Sequence, residues 1–173
     1  MKSTCFLFLL VFALSCKKHD AEPELPAETQ IGANTFGCRF NGKAWVPEPD
    51  KKNFNPGNML VYEFEPYRGS GYFQITATNY NRGGFVRLFS NTAGKTGIYS
   101  IGRTDSLHAT IIDVGDKCVY YSDDKNTYCQ GSITLTRVDY RAGIMAGTFE
   151  FVIRKPGCDT LRITDGRFDL KTN

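Results

Sequence analysis

Cysteines carry the most specific chemistry in this 173-residue chain, which has six of them. Cys5 and Cys16 belong to an apolar N-terminal region, and the other four are spread over the body of the chain: Cys38, Cys118, Cys129 and Cys158. They form no Cys-x-x-Cys pair and have no histidine cluster near them, so a zinc site is not expected. We predict no metal and no other cofactor, and we expect the four cysteines to form disulfides in an oxidising compartment.

The order of the cysteines favours one pairing. Cys118 and Cys129 bracket a predicted hairpin with its tip at Asp123-Asp124-Lys125-Asn126, so they can face each other across two strands. Cys38 and Cys158 lie near opposite ends of the domain. Four cysteines allow three connectivities. Of these we predict Cys118 with Cys129 and Cys38 with Cys158.

Catalytic groups are sparse. Asp105-Ser106-Leu107-His108 brings an acid, a hydroxyl and the one histidine of the body together, but a strand would place Ser106 and His108 merely side by side. A surface histidine is the better interpretation. Carboxylates that a glycoside hydrolase would need are present, yet nothing in the sequence pairs any two of them: Glu63, Glu65, Asp113 and Glu150. We predict no catalytic residues and no enzymatic activity.

The N-terminus predicts export and a lipid anchor. Lys2 precedes an uninterrupted apolar run over Cys5 to Leu14, which suits a signal peptide and is shorter than the roughly 20 residues of a transmembrane helix. Ala13-Leu14-Ser15-Cys16 resembles a bacterial lipobox. Lipidation of Cys16 would also remove the odd cysteine from the mature chain. We therefore predict a signal peptide over residues 1–15 and a lipid on Cys16.

Residues 16–34 are expected to form a flexible tether after the lipidated cysteine. They contain Pro23 and Pro26, several acidic residues and no aromatic residue, so they bury little surface. Lys17, rather than aspartate, follows Cys16, which by resemblance to bacterial sorting rules favours the outer membrane. The predicted location is the cell envelope, as an outer-membrane lipoprotein on the periplasmic or the external side.

The elements that must position these residues are strands. From Thr35 onward, segments with period-2 alternation and separating turns recur about every ten residues. Asn41-Gly42 predicts a two-residue hairpin turn. We predict one all-β domain over residues 35–173, an antiparallel β-sandwich or an up-and-down β-barrel-like fold of about ten strands. Trp45 lies at the end of a strand before Pro47 and is expected to cap the core rather than to bind a ligand.

Composition excludes some functions. Lys plus Arg number 21 and Asp plus Glu number 18, so the net charge is +3. This near balance does not indicate a nucleic-acid-binding protein. With 41% hydrophobic and 13% aromatic residues, the chain is not that of a disordered protein.

Three phrases resemble a family of Bacteroidota lipoproteins of unknown function. They are Thr35-Phe36-Gly37-Cys38 with Asn41-Gly42-Lys43-x-Trp45, then Gly147-Thr148-Phe149-Glu150-Phe151, then Ile163-Thr164-Asp165-Gly166-Arg167-Phe168-Asp169. The resemblance covers most of residues 35–170. It implies an envelope lipoprotein and brings no activity.

Three functions stay open at this point. The first is a non-enzymatic envelope lipoprotein whose tethered domain binds a glycan or an envelope protein, or has a structural role. The second is a lipocalin-like carrier of a small apolar ligand, and the third is a carboxylate-based glycoside hydrolase. Asp105-Ser106-Leu107 and Asp159-Thr160-Leu161 also resemble Bacteroidota O-glycosylation acceptors, which makes Ser106 and Thr160 candidate modification sites.

Overall fold

The computed structural model describes residues 22–50, 59–65, 71–103, 107–113 and 118–172, without the side chains of residues 65, 112 and 113. The predicted signal peptide, Cys16 and Ser106 lie outside the described residues. Within these ranges, no helix has the length and apolar character needed to cross a membrane.

The described residues form eleven strands, so the prediction of an all-β domain of about ten strands is confirmed. The strands are β1 Thr35–Phe40, β2 Lys43–Trp45, β3 Leu60–Glu65, β4 Tyr72–Thr78, β5 Phe85–Ser90, β6 Gly97–Ile101, β7 Leu107–Asp113, β8 Cys118–Tyr121, β9 Tyr128–Asp139, β10 Ile144–Arg154 and β11 Leu161–Lys171.

All eleven strands belong to one sheet that curls into a half-barrel. The order across the sheet is β2-β1-β11-β10-β9-β6-β7-β5-β4-β3, and β8 adds to β7 beside this path. Neighbouring strands are antiparallel except β6 and β7, which meet in parallel at Ile101 and Leu107. The sheet is therefore mixed at this one described contact.

Contacts between the two halves of the sheet support its curl. The backbone of Glu48, which follows β2, bridges to Asn79 after β4. The buried Asn79 side chain donates to the carbonyl oxygen of Val46 over 2.8 Å. On β3, the Tyr62 hydroxyl lies 2.5 Å from the carbonyl oxygen of Lys171 at the end of β11. These contacts link elements near one end of the sheet order, β11 and the segment after β2, to elements near the other end, β3 and the segment after β4.

Alternation along the strands fills the inside of the sheet. Phe73, Ile75 and Ala77 on β4 are fully buried, as the period-2 pattern predicted. On β11 the inward-facing positions change phase. Ile163 and Phe168 are both buried although they lie five positions apart, whereas strict alternation would put them on opposite faces. The pairing with β10 shifts between these positions, where Asp165 has a φ of 51°. This β-bulge returns the strand to the core in the opposite phase.

The first hairpin forms as predicted. Asn41 and Gly42 have φ values of 48° and 84°, the geometry that a two-residue hairpin turn requires. Trp45, on β2, is 6% exposed and packs on Phe36 and Phe40 with ring centroids 6.3 and 5.3 Å apart. The burial of Trp45 confirms the prediction that its ring belongs to the core.

The residues just before β1 are not a free tether. Residues 29–33 dock on the outside of β11, where the backbone amides of Ile31, Gly32 and Ala33 donate to the Asp169 carboxylate. Gly32 has a φ of 79°, and a Cβ there would lie 2.6 Å from the Cβ of Lys171. The prediction of a flexible tether up to residue 34 is therefore wrong for this stretch, because a buried carboxylate on β11 supplies acceptors for its amides.

The predicted disulfide pairing is wrong. Cys118 bonds to Cys158, with the two Cα atoms 6.1 Å apart, and Cys38 and Cys129 take no part in this disulfide. The expected β8–β9 hairpin does not form, because β8 pairs with β7 while Cys129 on β9 lies opposite Ile153 of β10. Cys118 therefore does not face Cys129 across two paired strands.

Cys38 is too far along the sheet to reach Cys158. Its neighbour Arg39 pairs with Thr164, three residues into β11, which at about 3.3 Å per residue is about 10 Å beyond the start of that strand. A disulfide needs its Cα atoms within about 7 Å. The connection that carries Cys158 instead packs on β8, where Tyr120 donates to the carbonyl oxygen of Asp159 over 2.7 Å.

Candidate functional site

The outer face of β9, β10 and β11 carries a row of grooves lined by polar side chains. Because Phe149, Phe151 and Ile153 point into the core, the alternate residues of β10 point outward. Cross-strand register places them beside the outward residues of β9: Thr148 opposite Thr134, Glu150 opposite Ser132, Val152 opposite Gln130, and Arg154 opposite Tyr128. We call this row, with its walls, the outer trough.

Three neighbouring grooves make up the outer trough. The middle groove has a volume of about 300 Å³ and is lined by hydroxyls of Ser132, Thr134 and Thr148 and by carboxylates of Glu28, Glu150 and Asp165. A smaller groove of about 110 Å³ adjoins it and shares Glu28 and Thr148. A third, of about 420 Å³, continues along the strands past Val152 to Tyr128, Arg154 and Arg162. From Thr134 to Tyr128 the row extends about 20 Å.

The N-terminal segment forms one wall of the outer trough. Arg167 on β11 lies 3.7 Å from the Glu28 carboxylate, and Arg137 on β9 donates to the carbonyl oxygen of Gln30 over 2.6 Å. These contacts hold Glu28 beside the middle groove. The wall is thus built from residues that the sequence assigned to the tether.

Asp169 holds this wall in place. Its side chain points outward from β11, yet the residue is only 1% exposed because residues 29–33 cover it. The Thr29 hydroxyl donates to it over 2.6 Å, in addition to the three backbone amides. Burial by itself raises the pKa of the Asp169 carboxyl, but the four hydrogen bonds outweigh burial and leave its pKa below the ordinary value. Asp169 is therefore an ionised anchor, which is a structural role.

One end of the outer trough has an aromatic ring. Tyr128 is 45% exposed, and the Arg154 guanidinium lies 4.4 Å from its ring centroid. The Tyr128 hydroxyl hydrogen-bonds to Gln130. One face of the ring is thus occupied by a cation, and the end of the trough combines an aromatic surface with hydrogen-bond donors.

A second outward-facing cluster lies on β4, β5 and β7. Its centre is a line of paired residues, Gln74 opposite Phe89 and Phe89 opposite His108. The Phe89 and His108 rings stack with 15° between their planes, and Tyr72 meets Phe89 edge-on at 5.8 Å. The Arg87 guanidinium lies 5.7 Å from the Phe89 centroid and donates to Gln74 over 2.5 Å. We call these five residues the aromatic shelf.

The carboxylates that the sequence offered for hydrolysis lie in different surroundings. The carboxylates of the middle groove are solvated, with Glu28 and Asp165 side chains 61% and 51% exposed. A glycosidase general acid needs a desolvated carboxyl beside a second one. Of the other carboxylates that the sequence offered, Glu63 lies 3.4 Å from the Tyr72 hydroxyl, away from the outer trough. The side chains of Glu65 and Asp113 lie outside the described residues.

The remaining site residues are dispersed. His108 stacks on Phe89 in the aromatic shelf, and its predicted neighbour Ser106 lies outside the described residues. Thr160 lines the third groove and its carbonyl oxygen accepts a hydrogen bond from Asn41 over 3.3 Å. Among the described residues, no group of three or more His, Cys, Asp or Glu side chains is placed to hold a metal ion.

The sequence did not predict the outer trough or the aromatic shelf, because each combines residues from several strands. The alternation of Phe149, Glu150 and Phe151 already directs Glu150 away from the two rings, but no pattern in the sequence places β9 beside β10 in register. Asp169 lies at the end of the Ile163 to Asp169 motif, between the apolar residues Phe168 and Leu170. The structure shows that its carboxylate binds the N-terminal segment through the amide of Gly32. Tyr72 and Gln74 alternate with Phe73 and Ile75 in the sequence, which already puts the two pairs on opposite faces of a strand.

No protein-family model, curated protein or solved structure matches the chain at a significant level.

Proposed function

We propose that this chain is a non-catalytic envelope lipoprotein, anchored in the outer membrane through Cys16, whose β domain binds an uncharged glycan chain in the outer trough. The observation that carries the proposal is the row of paired hydroxyl, carboxylate and amide side chains along β9 and β10. Sugars present many hydroxyls that act as both donors and acceptors, and such a row matches them along its length.

The shape of the outer trough favours an extended ligand. Its three grooves follow the strand direction over about 20 Å. At one end the exposed ring of Tyr128 offers an apolar surface with a polar rim, which suits the face of a sugar ring. At the middle, Glu150 and Ser132 supply acceptors side by side.

The alternative of a lipocalin-like carrier has less support. A carrier needs an open interior, whereas large rings occupy the inside of this sheet: Phe36, Phe64, Phe73, Phe149 and Phe151 are all 7% exposed or less. Trp45 and Phe40 line a groove of about 300 Å³ at one end of the core, but the low exposure of Trp45 leaves little ring surface for a ligand.

The lipid anchor would keep the outer trough close to the membrane. The first described hydrogen bond between the N-terminal segment and the sheet is at Pro26, whose carbonyl oxygen accepts from Arg167 over 3.4 Å. Residues 17–25 then span at most about 30 Å when fully extended. A membrane-bound Cys16 therefore restricts the glycan to one within that distance of the bilayer. Loss of the chain from the membrane fraction in Cys16→Ser tests the anchor.

A glycan array probed with the full chain in detergent tests the binding function. We expect one class of uncharged glycan to bind, and Glu150→Gln to weaken its binding about tenfold or more, because a hydrogen bond to a charged group contributes about 1.5–3 kcal/mol. Asp123→Asn is the matched control, since it removes one carboxylate from an exposed turn residue that lines none of the three grooves. Equal binding by both variants, or no uncharged glycan bound, would reject the proposal.

A further inference from the structure

We propose that the aromatic shelf is a second binding site, which takes the carboxylate of an acidic saccharide on Arg87 and His108 while the sugar ring rests beside Phe89. This inference goes beyond the outer trough, because it concerns different strands and a charged ligand.

The inner residues of the same strands make the aromatic shelf rigid. Val86 and Leu88 on β5 and Leu107 and Ala109 on β7 are at most 1% exposed. The residues between them are therefore directed outward. Arg87 lies opposite Thr110, and Phe89 lies opposite His108, in one unbroken register of six pairs. The side chains of the shelf thus project from a regular part of the sheet rather than from a loop.

Two nitrogen atoms of the aromatic shelf are enclosed without a hydrogen-bond partner: Nε of Arg87 and Nδ1 of His108. An enclosed polar atom that lacks a partner destabilises the fold, so such atoms are rare in folded proteins. The Nε–H of arginine can only donate, because the guanidinium stays protonated. The group that would satisfy Arg87 is therefore an acceptor.

A carboxylate fits this acceptor best. Arginine binds carboxylates with two parallel hydrogen bonds, and the hydrogen bond from Arg87 to Gln74 already orients the guanidinium. Nδ1 of His108 can carry the proton of the imidazole ring, so it can act as a second donor. Arg87 and His108 are half-buried residues, so part of each side chain is exposed. Contact of the enclosed nitrogens with a ligand requires a rotamer change, which is common on binding.

The three rings of the aromatic shelf favour a ligand that also carries a sugar ring. Phe89 lies between His108 on one side and Tyr72 on the other, which makes a surface of three rings next to the cation. A free inorganic anion would use Arg87 and leave this surface unused. Glu63, which pairs with Gln74, stands at the far side and supplies an acceptor for ring hydroxyls. The combination selects a saccharide that carries a carboxylate.

Calorimetric titration of the full chain with oligogalacturonate tests this site, and the fully methyl-esterified oligomer is the second probe. Esterification removes the charge and keeps the rings. We expect the acid form to bind at least tenfold more tightly than the ester, and Arg87→Gln to abolish that difference. Arg141→Gln, which removes a charge from an exposed turn residue, is the matched control and should bind like the original chain.

Further variants separate stacking from charge. Phe89→Ala is expected to weaken oligogalacturonate binding at least tenfold, with its melting temperature measured in parallel; His108→Gln should weaken it without loss of fold. Equal affinity for acid and ester, unchanged binding by Arg87→Gln and His108→Gln, or equally tight binding of inorganic phosphate would each overturn the proposal.

Discussion

The Asp169 carboxylate accepts a hydrogen bond from the Thr29 hydroxyl over 2.6 Å, which joins the N-terminal segment to the last strand of the sheet. The two residues are separated by 140 positions in the chain. Through this contact and three backbone amides, the wall of the outer trough is attached to β11.

Removal of the Asp169 carboxylate should detach this wall. In Asp169→Ala the amides of residues 31–33 lose their acceptor, and we expect the free energy of unfolding to fall by about 3 kcal/mol. Hydrogen exchange of these amides should accelerate in the same variant. Asp165→Asn is the control, because its ion pair with Arg39 is exposed and contributes at most about 1 kcal/mol. Equal stability of the two variants would contradict the role assigned to Asp169.

Acid should weaken the same contact. The pKa of Asp169 is below its ordinary value in the folded chain, so the stabilisation is fully present above the unfolded pKa of about 3.9 and is lost as pH falls through the folded value. Urea unfolding between pH 7 and pH 2 should show this loss below about pH 4. The slope in that interval should be smaller in Asp169→Asn, and an identical slope would show that another group is responsible.

The Cys118–Cys158 disulfide should be found by peptide mapping under non-reducing conditions. The bond closes a loop with a sequence separation of 40, so chain entropy predicts a stabilisation of about 4 kcal/mol. Cys158→Ser should therefore lower the melting temperature strongly. Cys38→Ser is the contrasting variant, because it leaves the Cys118–Cys158 disulfide intact. The Cys38 side chain is fully buried, and burial raises its pKa, so it stays a thiol. A peptide linking Cys38 to Cys158 would reject this arrangement.

Loss of the Trp45 ring should open a void next to Phe36 and Phe40. Replacement of a large buried aromatic residue by alanine costs about 3–5 kcal/mol, and we expect Trp45→Ala to fall in this range. Chemical denaturation measures the change, with Trp45→Phe as the variant that retains a ring. If Trp45→Ala unfolds like the original chain but loses a ligand, the indole is a binding surface instead.

Local sequence determined the strands, the first hairpin and the direction of many side chains. Asn41-Gly42 adopts the positive φ values that the pair predicts, and Phe149 and Phe151 point inward on either side of an outward Glu150. These features depend on residues a few positions apart, whose preferences for turns and alternation are expressed wherever the segment lies. They are therefore visible in the sequence alone.

Only the tertiary structure decided which segments meet. The pairing of β8 with β7 moved Cys118 away from Cys129, and the buried carboxylate of Asp169 converted an expected tether into a docked wall. The row of Ser132 and Glu150 likewise exists because β9 lies beside β10 in one register. Such contacts join residues far apart in sequence, and their free energy depends on how the whole sheet closes its core, which no local pattern encodes.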